Sequence, residues 1–537
     1  MTAPSTGGPG ATVHGSAWAP LRVVAFRALW LAQLGSMIGT WMQTVGAQWL
    51  LVDRPDASTL VALVQTASML PVLLFALPAG VIADSFDRRR LLVAVQAATF
   101  VIAAALTGLT VFGQMPPALL LTFTFLLGCG AALTMPAWQA LIPELVPRAE
   151  LPAASALGAI SINVARAVGP ALAGVLVARA SVAVVFAINA ISYVVLAAVL
   201  ARWGPPTAVS GDVPERFTPA LRAGARYIRH SPVERRILLR SGLFVLPGTS
   251  LWALLPLVAS GRLELGAGGY GLLLAALGIG AVGGAVGLPR LRARMSTSQM
   301  LVVASVVYAG ALVVLASSRN GWLVAAVLVP AGAAWLAVLS SLSAAMQMFL
   351  PGWVRARGLS VHQVVFLGGQ GIAALLWGLL AQYRGLVVTF VVAAVLMALG
   401  AATTVGWPLL DAGGVDRGPA AYWPEPRLAF EPDPDTGPVL VTLTFTVAPD
   451  RVPEFLDAMT RVRRSRQRTG ATRWALYRDG EDPRRFVEAY LVPSWEEHLR
   501  QHSGRLTGAD QALEEEAVAL AEASPEVAHL FPASRAG

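Results

Sequence analysis

No Asp, Glu or Arg occurs between Arg27 and Asp53, Asp56 and Asp84, Arg240 and Arg262, Glu264 and Arg290, Arg294 and Arg319, Arg319 and Arg355, Arg357 and Arg384, or Arg384 and Asp411, and the chain contains no lysine. Each interval holds about 20 residues or more, which at 1.5 Å per residue carries a helix across a hydrocarbon core of about 30 Å. These intervals predict eight spans. The interval from Arg90 to Glu144 has room for two more, divided where Gly113, Pro116 and Pro117 turn the chain, and residues 151 to 201 hold another two, parted near Arg179. The expectation is an all-α membrane protein of 12 transmembrane helices. With 13% charged residues, the chain lies well below the soluble norm of about a quarter.

Arginine sets the orientation. With the N-terminus in the cytoplasm, inner loops hold Arg88, Arg89, Arg90 and Arg148, eight arginines from Arg202 to Arg240, then Arg290, Arg292, Arg294, Arg355 and Arg357. Outer loops hold only Arg54, Arg179, Arg262, Arg319 and Arg384. Seventeen against five satisfies the positive-inside rule, so both termini are expected in the cytoplasm of a multi-pass cell-membrane protein. The net charge of +9 then reflects topology and contact with the lipid bilayer, not nucleic acid. The single cysteine, Cys129, excludes an intrachain disulfide. Residues 1–20 read as a disordered cytoplasmic tail without a cleavable signal peptide.

The longest inner loop follows the sixth span and divides the chain into a six-helix bundle at 21–202, an inter-bundle loop at 203–236 and a second bundle at 237–410. Sliding the chain by 204 positions aligns Gly80 with Gly284, Arg88 with Arg292, Arg90 with Arg294, and Gly174 with Gly378, as two related bundles would.

Between the second and third spans stand Gly80, Asp84, Asp87, Arg88, Arg89 and Arg90. That spacing resembles the loop signature of the major facilitator superfamily. "FRALWLAQLGSMIGTWMQTVGAQWLL" (26–51), "PAWQALIPELVPRAELPAASAL" (136–157), "NVARAVGPALAGVL" (163–176) and "LPGWVRARGLS" (350–360) resemble its bacterial drug and siderophore exporters, of the enterobactin-exporter type. The resemblance implies the major facilitator fold and export of a small organic molecule by alternating access, with no enzymatic activity. It departs from the family at Ser85 and Asp87, where a basic residue and glycine are usual, and at Thr40, where relatives often carry an aspartate. Asp84 can pair with the arginines and with a helix N-terminus of the other bundle, so Gly80, Asp84, Asp87, Arg88 and Arg90 form a candidate conformational latch. The alternative is a topology signal of positive charges with no switching role.

Arg166 lies near the middle of the fifth span, where a charge costs roughly 2.5 to 3.5 kcal/mol and marks a functional candidate. No carboxylate lies inside any span to pair with it, which suits an anionic or carbonyl-rich cargo; hydrogen bonding to backbone carbonyls is the alternative. Asn163, Trp41, Gln43, Gln139 and Gln370 complete the candidate binding residues. Asp53, Glu144 and His362 are the remaining candidates for carrying protons. Gly169, Pro170 and Gly174 form a helix-packing motif, similar to the exporter signature of the fifth helix, that permits close approach and a bend.

Beyond a Pro and Gly-rich linker at 411–438, residues 439–533 read as strand, helix, strand, strand, helix, strand, a soluble α+β ferredoxin-like domain. "RRFVEAYLVPSWEEHLRQH" resembles the small antibiotic-biosynthesis-monooxygenase-like domain, which implies a homodimer through this unit. Arg461, Arg463, Arg464, Arg466 and Arg468 read as a surface, and His498 and His502, four apart on a helix, as a solvated face. No cofactor and no metal are implied. The competing functional reading is a membrane-tethered enzyme or sensor working through this domain.

Overall fold

A backbone in hydrocarbon must satisfy its own N–H and C=O groups, so the charge-free runs become helices. The computed structural model describes residues 18–85, 87–204, 217–409, 420 and 428–533, with the side chains of 76–85, 140, 148, 217–223, 352, 356 and 503 outside that description. The first half contains α1 (Val24–Leu50), α2 (Ala57–Ser85), α3 (Arg88–Val111), α4 (Pro117–Leu145), α5 (Leu151–Arg179) and α6 (Val182–Arg202). A shorter helix, α7 (Phe217–His230), precedes the second half: α8 (Pro232–Leu257), α9 (Ala267–Arg292), α10 (Thr297–Ser317), α11 (Gly321–Phe349), α12 (Arg355–Gln363) and α13 (Gly369–Gly406). A π-helical turn, Val364–Gly368, joins α12 to α13.

Ten of the described helical runs are long and apolar enough to cross a membrane. The run Arg357–Gly406 is really two spans, because Gly385 leaves the helix at φ 80°, ψ 165°, a conformation suited to glycine. The 27-residue α1, made less apolar by Gln33, Gln43 and Gln48, adds one more, which brings the total to the twelve that the charge-free intervals predict. Short loops carry their own caps: Asp87 accepts from Arg90 N at 2.7 Å to start α3, and Ser296 with Gln299 forms a capping box on α10.

The halves meet through glycines. A Cβ on Gly174 of α5 would stand 2.7 Å from Gly271 Cα of α9, and one on Gly378 of α13 would stand 2.9 Å from Ser58 O of α2. Gly174 and Gly378 are the residues that the 204-position shift superimposes, so the same close approach is made twice across the two halves. Tyr270 OH donates to Gln48 Oε1 at 2.7 Å, and Thr66 Oγ1 donates to Gly371 O at 2.8 Å. Most of these contacts lie toward the end away from the arginine-rich loops, and there the two halves are shut against each other.

The region read as a loop at 203–236 contains α7. It carries Arg226 and Tyr227 between the second half and the C-terminal domain: Arg226 lies 3.5 Å from Glu497, and Tyr227 meets Trp353 edge-on at 5.6 Å. That domain comprises β1 (Val439–Thr446), α14 (Val452–Thr469), β2 (Arg473–Arg478), β3 (Arg485–Val492), α15 (Trp495–Arg500), α16 (Gly508–Ala519) and β4 (Glu526–Leu530). Its antiparallel sheet has the order β2-β3-β1-β4, that of a ferredoxin-like sandwich, and β1 and β3 pair Val441 with Tyr490 and Phe445 with Phe486. Val439, Val441, Leu443 and Phe445 face Phe455, Met459 and Val462 of α14 in one core.

Two surface readings fail here. Arg466 is buried, because it continues the stripe of Phe455, Met459 and Val462 at helical spacing, and it pairs with Glu488 at 3.2 Å and Glu514 at 2.8 Å. His498 and His502 are drawn inward by β4, whose pairing with β1 sets His529 beside them, so that His498 Nε2 lies 2.9 Å from His502 Nε2 and 3.0 Å from His529 Nε2. Among the described residues, no group of three His, Cys, Asp or Glu is arranged to hold a metal ion.

Candidate functional site

Arg166 sits near the middle of the 29-residue α5, and its guanidinium lies over the Trp41 ring of α1, 5.7 Å from the centroid. Its Nε and Nη1 are sealed from solvent and have no hydrogen-bond partner among the described residues. A cation over an aromatic face gains about 1 to 2 kcal/mol when desolvated, less than its hydrogen-bonding capacity requires. One turn further, Gly169 lets α1 come close: a Cβ there would stand 2.7 Å from Trp41 Cβ. Thus the packing glycine and the buried cation set each other's position.

Trp41 is also where the halves touch. Its ring stands 6.0 Å from Trp252 of α8, which continues to Trp335 of α11 at 5.7 Å, and Trp335 meets Tyr308, Phe244 and Phe366 at 5.8, 5.6 and 5.9 Å. Trp41 therefore stands between the cation of its own half and a chain of aromatic rings in the other. Sequence reasoning missed Trp252, Trp335, Phe244 and Tyr308; Phe244 and Trp252, eight residues apart on one helix face, were the available signal.

The other predicted site residues are dispersed. Asn163 donates to its own helix at Ala159 O, 2.9 Å away, and Gln43 accepts from Asn189 Nδ2 and so faces α6. Gln370 is buried on α13, whereas Gln139 is exposed on α4. Pro170 O lies 3.1 Å from where a Cβ on Gly271 would stand, so Gly169, Pro170 and Gly174 together form the face of α5 that meets α1 and α9.

Of the latch residues, the side chains of Gly80 and Asp84 lie outside the described residues. Asp87 caps α3, Arg88 pairs with Glu144 of α4 at 2.5 Å, and Arg89 donates to Leu200 O of α6 at 2.9 Å, all within the first half; Arg90 is exposed.

Two six-helix halves shut against each other at one end have the architecture of a membrane transporter. The chain belongs to the transmembrane secretion effector family of the major facilitator superfamily, whose pattern matches residues 15–536. It is 26% identical over 281 residues to the staphyloferrin A transporter of Staphylococcus aureus, covering 51% of this chain and 69% of that one. It is 27% identical over 322 residues to the enterobactin exporter of Salmonella typhimurium, covering 59% and 76%. A match to a macrolide efflux protein of Streptococcus pyogenes is 23% identical over 241 residues and covers 44% of this chain and 58% of that protein. Among solved structures, a bacterial homologue of the human lysosomal transporter Spinster, inward-facing and unoccupied, has a TM-score of 0.58 at 15% identity over 71% of this chain and 96% of its own. A nucleoside transporter has a TM-score of 0.54 at 12% identity over 71% and 98%. At such identities these two structures share the fold.

Proposed function

We propose that this protein exports a small anionic or carbonyl-rich organic molecule from the cytoplasm by alternating access of its two halves. The observation that carries the reading is Arg166, a half-buried cation over Trp41 at the junction of the halves, whose sealed Nε and Nη1 have no partner among the described residues. An anionic cargo would supply the acceptors that the described residues do not. The enterobactin exporter and the macrolide efflux protein among its relatives support the outward direction.

With the arginine-rich loops in the cytoplasm, the shut end is the outer one, and cargo would enter from inside. The Gly80–Arg90 cluster is then the contact that closes the inner end in the opposite state. The bundles at 21–202 and 237–410 act as the rocking bodies, and the C-terminal domain, reached through the 411–438 linker, acts as a dimerising or regulatory appendage related to the monooxygenase-like fold.

The test is uptake into inverted vesicles of labelled salicylate, citrate and ethidium, with and without a pH gradient, in native protein and Arg166→Gln. Gradient-driven accumulation of the anions, lost in the variant, is the expected result. Equal accumulation by both proteins would refute the site.

A further inference from the structure

A transporter driven by a proton gradient needs a group that gains and loses a proton inside the membrane, and the carboxylates here are poorly placed for it. Glu144 is held by Arg88 at 2.5 Å, Glu234 is buried beside Ser231 and Tyr227 at the start of α8, and Asp53 is exposed in the α1–α2 turn. The side chain of Asp84 lies outside the description. His362 is different. The other histidines are His14, His230, His498, His502 and His529, none of them in a span, so His362 is the sole imidazole of the membrane helices. It is 3% exposed, and its Nε2 lies 3.2 Å from Ser241 Oγ of α8.

The wall around that hydrogen bond is apolar: Phe244 and Val245 of α8, Val338, Leu339 and Leu342 of α11, and Phe366. The charges on the elements packed nearby are turned elsewhere or lie outside this wall. Arg240 of α8 donates to the carbonyls of Gly400, Thr403 and Trp407. Arg355 and Arg357 share α12 with His362, and α7 carries Arg226, Arg229 and His230 among its described side chains, whereas α11 and the π-helical turn carry no charge at all. A neutral imidazole is at home here; an imidazolium is not.

The stretch just beyond His362 gives its protonation a mechanical outlet. The π-helical turn Val364–Gly368 begins two residues on, and such turns inside helices are rare and concentrate at functional sites. Its last residue lies against the other half: a Cβ on Gly368 would stand 2.8 Å from Leu73 Cδ1 of α2. Three residues further, Gly371 O accepts from Thr66 of α2 at 2.8 Å. The titratable ring, the irregular turn and the contact between the halves thus occupy one continuous stretch, 362–371.

We propose that His362 is the proton-binding site of the transport cycle. Its ring takes one proton, with Ser241 turning its hydroxyl oxygen to accept from the new N–H. The ring takes this proton while the outer end is open, and closing that end against the apolar wall, as the π-helical turn and the α2–α13 contact re-form, gives the same proton up to the cytoplasm. No other bond forms or breaks. The proposal rests on the transport reading and supplies its driving ion.

The test follows the outer end of the protein directly and uses the proton as its ligand. In a Cys129→Ala background, spin labels at Ala180→Cys and Gly266→Cys report the separation of α5 and α9 in the full-length protein in nanodiscs, between about pH 5.5 and pH 8. The shut population is expected to fall severalfold on acidification and to become insensitive to pH in His362→Gln. Ser241→Ala retains the imidazole, so it keeps the response with a displaced midpoint. A native protein that does not respond, a His362→Gln response equal to the native one, or an unmoved midpoint in Ser241→Ala would each overturn the proposal. Failure of the transport reading registers elsewhere, as native vesicles that accumulate no cargo under any gradient.

Discussion

Arg166 in the membrane and Arg466 in the C-terminal domain are both withdrawn from water and both lie over an aromatic ring, 5.7 Å from Trp41 and 5.0 Å from Tyr490 respectively. Their partners separate them. Arg466 is neutralised by Glu488 and Glu514, and Glu488 also accepts from Trp474 Nε1 at 2.8 Å. Arg166 has no partner for Nε and Nη1 among the described residues. A buried charge enclosed by opposite charge secures one arrangement of a core; a buried charge left open between two halves has its complement still to come. Burial alone therefore says little about an arginine's role, and its partners say most.

The sharpest way to break this contrast is to remove each arginine in turn. Arg466→Met strands two buried carboxylates and should destabilise the C-terminal domain by about 3–5 kcal/mol, seen as an early transition in thermal unfolding of the intact protein in detergent. Arg166→Gln should leave the unfolding profile within about 1 kcal/mol of native while anion accumulation in vesicles falls tenfold or more, a tenfold loss being about 1.4 kcal/mol. If Arg166→Gln unfolds the protein as Arg466→Met does, the two arginines have the same role and the contrast disappears.

Acid sharpens the comparison from the side of the C-terminal domain. Burial, then Arg466 and His529, push the His502 ring down to about 4, and burial with the neighbouring histidines pushes His498 lower still. Below about pH 6.5 the unfolded chain protonates these rings and the folded domain does not, so the unfolded state binds more protons. Stability should fall as the pH drops from about 6.5 toward 4, by roughly 1 kcal/mol per pH unit for each ring. Melting temperatures across that range check the slope, which His502→Asn should reduce.

The smallest effect belongs to the arginine between the two regions. Arg226 lies 3.5 Å from Glu497, which keeps Arg505 at 2.7 Å whether or not Arg226 is present. Arg226→Ala should cost about 1 kcal/mol or less and register as faster amide exchange in α7, with the unfolding transition little changed.

Much of the fold was legible in the sequence because a membrane span must be long, apolar and helical. The charge-free intervals therefore located the helices, and even the break at Gly385 fell beside Arg384, where one interval ended and the next began. Arg166 was legible for the same reason, since a charge in the middle of a span stands out against its surroundings. The aromatic wall was not: Trp252 and Trp335 belong to different helices with no spacing between them to read. The C-terminal domain misled in a consistent way. Arg466 and His498 look like surface residues on their own helices, and only the carboxylates of β3 and α16 and the imidazole of β4 show otherwise.

By itself, the sequence determined the number of spans, the strand order along the soluble domain and the isolation of one charge in the membrane. These follow from local composition and from periodicity, which act over a few turns of chain. Tertiary structure alone decided that Gly174 and Gly378 bring the halves together, that Arg166 lies over Trp41 where that ring meets Trp252 of the other half, and that Arg466 and His498 lie inside. Each of those outcomes depends on what a distant segment presents across a contact, and a side chain's partners are set by packing between elements that the linear order leaves apart.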